Sequence, residues 1–155
     1  MNKKFAVLSI VLASTFGFAS QAMAHDEVGA TSPAANSVVE AGKFDVSVTF
    51  GEDILQTKGN PGEVIEVVGP KDAGAEVQSN GCVAVDAKVL STPVDLDKPG
   101  TYTVNWRSVS SDGHATEGTY DFKLQNTTGY LSDGVPAESE ACSAQAPEAL
   151  ATENT

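Results

Sequence analysis

The chain has two histidines, and each stands where a metal ion can use it. His25 follows Ala22-Met23-Ala24, the small-x-small pattern of a signal-peptide cleavage site. Cleavage after Ala24 would free the α-amine of His25. That amine and the imidazole Nδ1 can then close a chelate ring on one metal ion. Both are nitrogen donors of the kind Cu(II) favours, and Cu(II) stands at the top of the divalent affinity order. An α-amine, with a reference pKa of about 7.7–8.0, gives up its proton to a metal at neutral pH.

His114 closes the stretch Ser108-Val109-Ser110-Ser111-Asp112-Gly113-His114. Asp112 and His114 are two positions apart, so on an extended segment they point to the same side. Gly113 between them removes bulk and permits an unusual backbone angle. An Asp oxygen and a His nitrogen would complete a tetragonal set of amine, two imidazoles and a carboxylate, which suits Cu(II) better than Zn(II) or Cu(I). Each feature alone has an ordinary explanation. Asp-Gly is a common turn, a loop histidine is usually a hydrogen-bonding residue, and an exported chain can begin with His by chance. Together they favour one Cu(II) per chain, held by His25, Asp112 and His114, because every histidine in the chain is then used.

These residues need a scaffold that brings the chain start to a distant loop. Lys3 and Lys4 followed by the apolar run Phe5 to Phe18 read as a signal peptide over residues 1–24. The run is too short to span a membrane and no later stretch is long enough, so a soluble, exported, periplasmic protein is predicted. The full chain carries a net charge of −12 at pH 7, and loss of Lys3 and Lys4 makes it more negative. This argues against nucleic acid and anionic membranes as partners. Cys82 and Cys142 are the two cysteines. In an oxidising compartment such a pair reads as one disulfide, and a cysteine metal site would need closer spacing and more ligands.

Phe44-Asp45-Val46-Ser47-Val48-Thr49-Phe50 alternates apolar and polar residues, as a half-buried strand does. Glu63 to Val68, Cys82 to Leu90, Thr101 to Arg107 and Gly118 to Leu124 also read as strands. Tyr102, Val104, Trp106, Tyr120, Phe122 and Leu124 are expected inward, with Trp106 a core residue rather than a functional one. Gly51 to Gly62 reads as a loop and Lys71 to Gly81 as a hairpin or loop. Short strands between turn signals, with no long helical period, predict an all-β sandwich or barrel. It should occupy residues 25–125. From Asn126 on, Ala, Ser, Glu and Pro dominate, so residues 126–155 are expected to form an acidic, largely disordered tail.

The run from Pro99-Gly100-Thr101-Tyr102 through Trp106-Arg107 to Ser110-Ser111-Asp112-Gly113-His114, followed by Gly118, resembles the C-terminal half of the CopC family of periplasmic copper-resistance proteins. Ser32-Pro33-Ala34, Phe50-Gly51-Glu52 and the histidine at position 25 resemble its N-terminal half. The resemblance covers roughly residues 25–124; Lys71 to Cys82 matches poorly and the tail lies outside it. It implies an immunoglobulin-like or cupredoxin-like Greek-key β-sandwich of about seven strands. It also implies Cu(II) ligation by the amine and imidazole of His25 with Asp112 and His114, and an acidic residue near the site, here Glu52, able to accept a hydrogen bond from a ligand. Some members hold Cu(I) in a methionine-rich loop. Here the methionines are Met1 and Met23, both inside the predicted signal peptide, so a Cu(II)-only type is expected.

The implied role is non-catalytic: sequestering copper or delivering it to an inner-membrane copper transporter of the CopD type. Two alternatives stand beside it. One is a copper-dependent oxidative enzyme built on an N-terminal histidine chelate. The other is a metal-free β-sandwich binding module, which would leave the two histidines unexplained.

Overall fold

The structure is a computed structural model that describes residues 27–56 and 62–136. His25, Cys142 and the predicted signal peptide lie outside the described residues. Nine strands form two sheets. They are β1 (Val28–Ser32), β2 (Val38–Glu40), β3 (Gly42–Phe50), β4 (Val64–Gly69), β5 (Glu76–Val77), β6 (Ala84–Asp86), β7 (Val89–Leu96), β8 (Gly100–Val109) and β9 (Ala115–Gln125). One sheet has the order β1-β3-β7-β6 and the other β2-β9-β8-β4-β5. The nine strands exceed the expected seven or so because short edge pieces, such as β5 and β2, pair where composition shows only turns. No helix among the described residues is long and apolar enough to cross a membrane.

The alternation in β3 does what its period dictates. Val46, Val48 and Phe50 are buried in the layer between the sheets, while Phe44 is half-buried at its edge. Across that layer Tyr102 and Val104 from β8 and Phe122 and Leu124 from β9 complete the core. Tyr102 and Phe122 stack with ring centroids 5.6 Å apart, and Phe44 meets Phe122 edge-on at 6.2 Å. Trp106 packs on the margin of this cluster, edge-on to Phe50 at 5.2 Å. A Cβ at Gly118 would lie 2.5 Å from the Trp106 ring. Gly118→Ala should therefore displace the indole and cost about 1–3 kcal/mol, the usual penalty for overpacking. Denaturant unfolding with Trp106 fluorescence checks this, and unchanged stability would show that the ring has room to move.

One segment differs from the sequence expectation, and another carries described structure beyond the predicted domain boundary. Cys82 to Leu90 is not one strand but a hairpin, with Ala87 and Lys88 turning between β6 and β7. The strand β7 then runs on to Leu96, with Leu90, Thr92, Val94 and Leu96 buried. The ordered chain also continues past Gln125 to Pro136. Tyr130 donates its hydroxyl to Asp95 Oδ1 at 2.8 Å, and the Asp133 amide donates to Asp95 Oδ2 at 2.9 Å. Ser132 Oγ donates to the Asp95 carbonyl at 2.9 Å, and Asn126 Nδ2 to that of Asp97 at 2.8 Å. The three-residue β6 pairs only Val89 to Ser91. These contacts therefore lie farther along β7 and just beyond it, where β6 gives no cover. At Pro136 the carbonyl accepts from Asn80 Nδ2 at 2.9 Å, and Asn80 Oδ1 accepts from the Cys82 amide at 2.8 Å. Cys82 is disulfide-bonded.

Candidate metal centre

One end of the sandwich gathers the start of β1, the end of β3, the β6–β7 turn and the β8–β9 turn. Residues 51–55 bind all of them. The Gly51 amide donates to the Glu27 carbonyl at 3.0 Å, directly before β1. The Ile54 amide donates to Ala87 at 2.8 Å, and Lys88 Nζ to the Gly51 carbonyl at 2.6 Å. Leu55 donates to the Val109 carbonyl at 2.8 Å, and Ser111 to that of Asp53 at 3.0 Å. Ile54 forms an isolated bridge with Ser110 and is buried in the core. Burial of such a side chain is worth about 1.5–3 kcal/mol, which pins the loop to the core. The result is that the chain at Glu27 and the Asp112-Gly113-His114 turn are both stitched to one five-residue loop.

Asp112 and His114 sit on a tight turn rather than on the extended segment that their spacing suggested. The Ser110 amide donates to the His114 carbonyl at 2.9 Å and the Gly113 amide to the Ser110 carbonyl at 2.8 Å. Gly113 has φ +89°, a backbone angle that side-chain-bearing residues rarely adopt. The turn folds the two side chains together, with His114 Nδ1 2.9 Å from Asp112 Oδ2. The His114 side chain is 82% exposed, so the pair opens to solvent.

The carboxylate of Asp112 is held on its other oxygen. Oδ1 accepts a short hydrogen bond from the Ser110 hydroxyl and a second, at 3.0 Å, from the His114 amide. These two bonds, with the facing imidazole, hold the Asp112 carboxyl far below the usual carboxylate range. The group stays ionised in any ordinary buffer.

The pair fits two neighbouring positions on a tetragonal ion. Donors about 2.0–2.1 Å from a metal and at right angles lie about 2.8–3.0 Å apart, and Oδ2 and Nδ1 are separated by 2.9 Å. Among the described residues no group of three or more His, Cys, Asp or Glu side chains is placed to hold a metal. An ion held by this pair would need further donors from outside the described residues; in the sequence His25 is two residues upstream of Glu27. Glu52 lies in the stitching loop, exposed, between the residues that bind Glu27 and Ser111. Ser110 was not singled out as a site residue by sequence. Its signal was a hydroxyl residue two positions before an Asp, a spacing that favours local side-chain turns.

Comparison with known proteins identifies the family and supports the fold. The family model described as CopC domain matches residues 28–125. Copper resistance protein C of Escherichia coli is 32% identical over 134 residues, covering 81% of this chain and 98% of that protein. Protein YobA of Escherichia coli (strain K12) is 36% identical over 103 residues, covering 66% of this chain and 80% of the relative. Among solved structures, PcoC from Escherichia coli, described as a methionine-rich copper resistance protein, is 28% identical. It superposes with a TM-score of 0.51 over 66% of this chain and 100% of its own. CopC from Methylosinus trichosporium OB3b, at 23% identity, shares the fold with a TM-score of 0.56 over 69% of this chain and 100% of its own. The β-sandwich, the matched span and the identities place this chain in the CopC family.

Proposed function

We propose that the protein is an exported, periplasmic Cu(II)-binding protein of copper homeostasis. It takes one Cu(II) through the α-amine and imidazole of His25, the His114 imidazole and the Asp112 carboxylate. It then sequesters the ion or hands it to a membrane copper transporter of the CopD type, without a catalytic step. The observation that carries this reading is the loop at residues 51–55, which bonds to Glu27 on one side and to Ser111 on the other. Glu27, the second residue after His25 in the sequence, is thereby held at the end of the sandwich that carries Asp112 and His114.

Copper as cargo in the Cu(II) state is supported by the donor inventory. The methionines are Met1 and Met23, both upstream of His25, and Cys82 is tied up in a disulfide. From His25 onward there is no thioether, the soft ligand that Cu(I) prefers. Reduction by ascorbate should therefore release the metal.

The test is a Cu(II) titration of the protein beginning at His25, followed by electron paramagnetic resonance. One equivalent should bind with a tetragonal nitrogen–oxygen signal. A form retaining a single residue before His25 loses the free-amine chelate and should bind far more weakly. Equal affinity would remove the amine from the site. Binding should also weaken in acid, because imidazole must be unprotonated to ligate. Asp112, held ionised by Ser110 and the His114 amide, adds nothing to that loss until far lower pH.

A further inference from the structure

We infer that Ser110 is a positioning residue that makes Asp112 a one-oxygen ligand aimed at the metal. This rests on the Cu(II) reading above. Ser110 is 2% exposed, and it is fixed from several directions. Its amide bonds to the His114 carbonyl, its carbonyl accepts from Gly113, and its backbone bridges to Ile54 in the core. Asp112, by contrast, has 43% of its side chain exposed. An exposed carboxylate rotates freely about its last bond, a broad torsion with no strong preference. Here it does not, because the buried hydroxyl and the His114 amide both take Oδ1. A carboxylate has two oxygens, and with Oδ1 engaged twice, Oδ2 is the one left facing the His114 imidazole.

The consequence is preorganisation. The rigid core sets Ser110, Ser110 sets the carboxylate plane, and the plane puts one oxygen at the spacing of a neighbouring ligand. Without the hydroxyl, the carboxylate must be ordered at the moment the metal binds, and that ordering weakens affinity. It can also swing both oxygens toward the ion. The hydroxyl carries a single proton. The ionised carboxylate of Asp112 is the stronger acceptor, and the neutral His114 carbonyl, at 3.2 Å, is the weaker competitor.

The test is a double-mutant cycle on the protein beginning at His25, using Cu(II) competition with a chelator. Ser110→Ala should lower Cu(II) affinity by roughly 10–100-fold, as loss of a partner behind a metal ligand does, and should change the Cu(II) paramagnetic spectrum. In an Asp112→Ala background the same Ser110→Ala change should have little further effect. An equal loss in both backgrounds would mean that Ser110 merely supports the loop, and would overturn the inference. So would unchanged affinity and spectrum in Ser110→Ala. If the unsubstituted protein retains no Cu(II), the functional reading itself fails, which is a different result from either.

Discussion

Alanine at position 114 is expected to reduce Cu(II) affinity by well over ~100-fold, more than removal of a group behind a ligand costs. His114 supplies an imidazole that nothing else among the described residues can replace, since the other histidine is His25. The change should leave the fold intact. The side chain is 82% exposed, and the turn around it is held by backbone bonds that alanine keeps. Thermal unfolding of the metal-free variant should therefore match the unsubstituted protein to within about 0.5 kcal/mol. Chelator competition gives the affinity. Retention of Cu(II) at the original strength would dismiss His114 as a ligand.

The second large effect lies toward the opposite end of the sandwich. Phe122 is fully buried, stacked on Tyr102 and edge-on to Phe44. Phe122→Ala should cost about 3–5 kcal/mol through lost burial and a residual cavity, which lowers the melting temperature by roughly 10–20 °C. Phe122 pairs with Tyr102, whereas the metal-site turn follows the pair Val109 and Ala115 at the other end of the β8–β9 hairpin. Copper affinity measured well below the transition should be unchanged. A matching loss of copper would show that the core and the site are coupled along that hairpin.

The central strands were legible because their side chains keep strict alternation. The residues Phe44 to Phe50 and Tyr102 to Trp106 declare their inward face by period alone. Strand β7 was not legible past Leu90. It carries Thr92 and Asp95 at buried positions, and Pro93 argues against an interior strand. The structure resolves the conflict. Pro93 is paired on the β3 side, opposite Asp45, but lies beyond the reach of β6. Asp95 is buried because Tyr130, Ser132 and Asp133 come back to it. Those partners lie 35 to 38 residues away, in a segment whose composition alone reads as tail. Strand β2 was hidden for a similar reason: it pairs in parallel with β9, across most of the chain.

Residue type and spacing single out Asp112 and His114, and the structure sets their side chains 2.9 Å apart, but not by the extended backbone that the spacing suggests. An extended segment was expected to set them side by side. A turn does it instead, using the positive φ of Gly113. Ser110 belongs to the motif that carries the family resemblance, but residue type and spacing give it no role of its own; its burial and its bond to Asp112 are visible only in the structure.

The stitching loop has a mechanical consequence. Strand β1 lies at the edge of its sheet, paired only with β3 and with its register shifted between Val28 and Ala30. The β8–β9 turn belongs to the other sheet. An ion held between residue 25 and that turn would therefore act as a rivet across the open mouth of the sandwich. It would fasten an edge strand of one sheet to the long β8–β9 hairpin of the opposite layer. On the Cu(II) reading proposed above, loading the ion and closing the seam would be one event, and removing the ion would free the edge strand again.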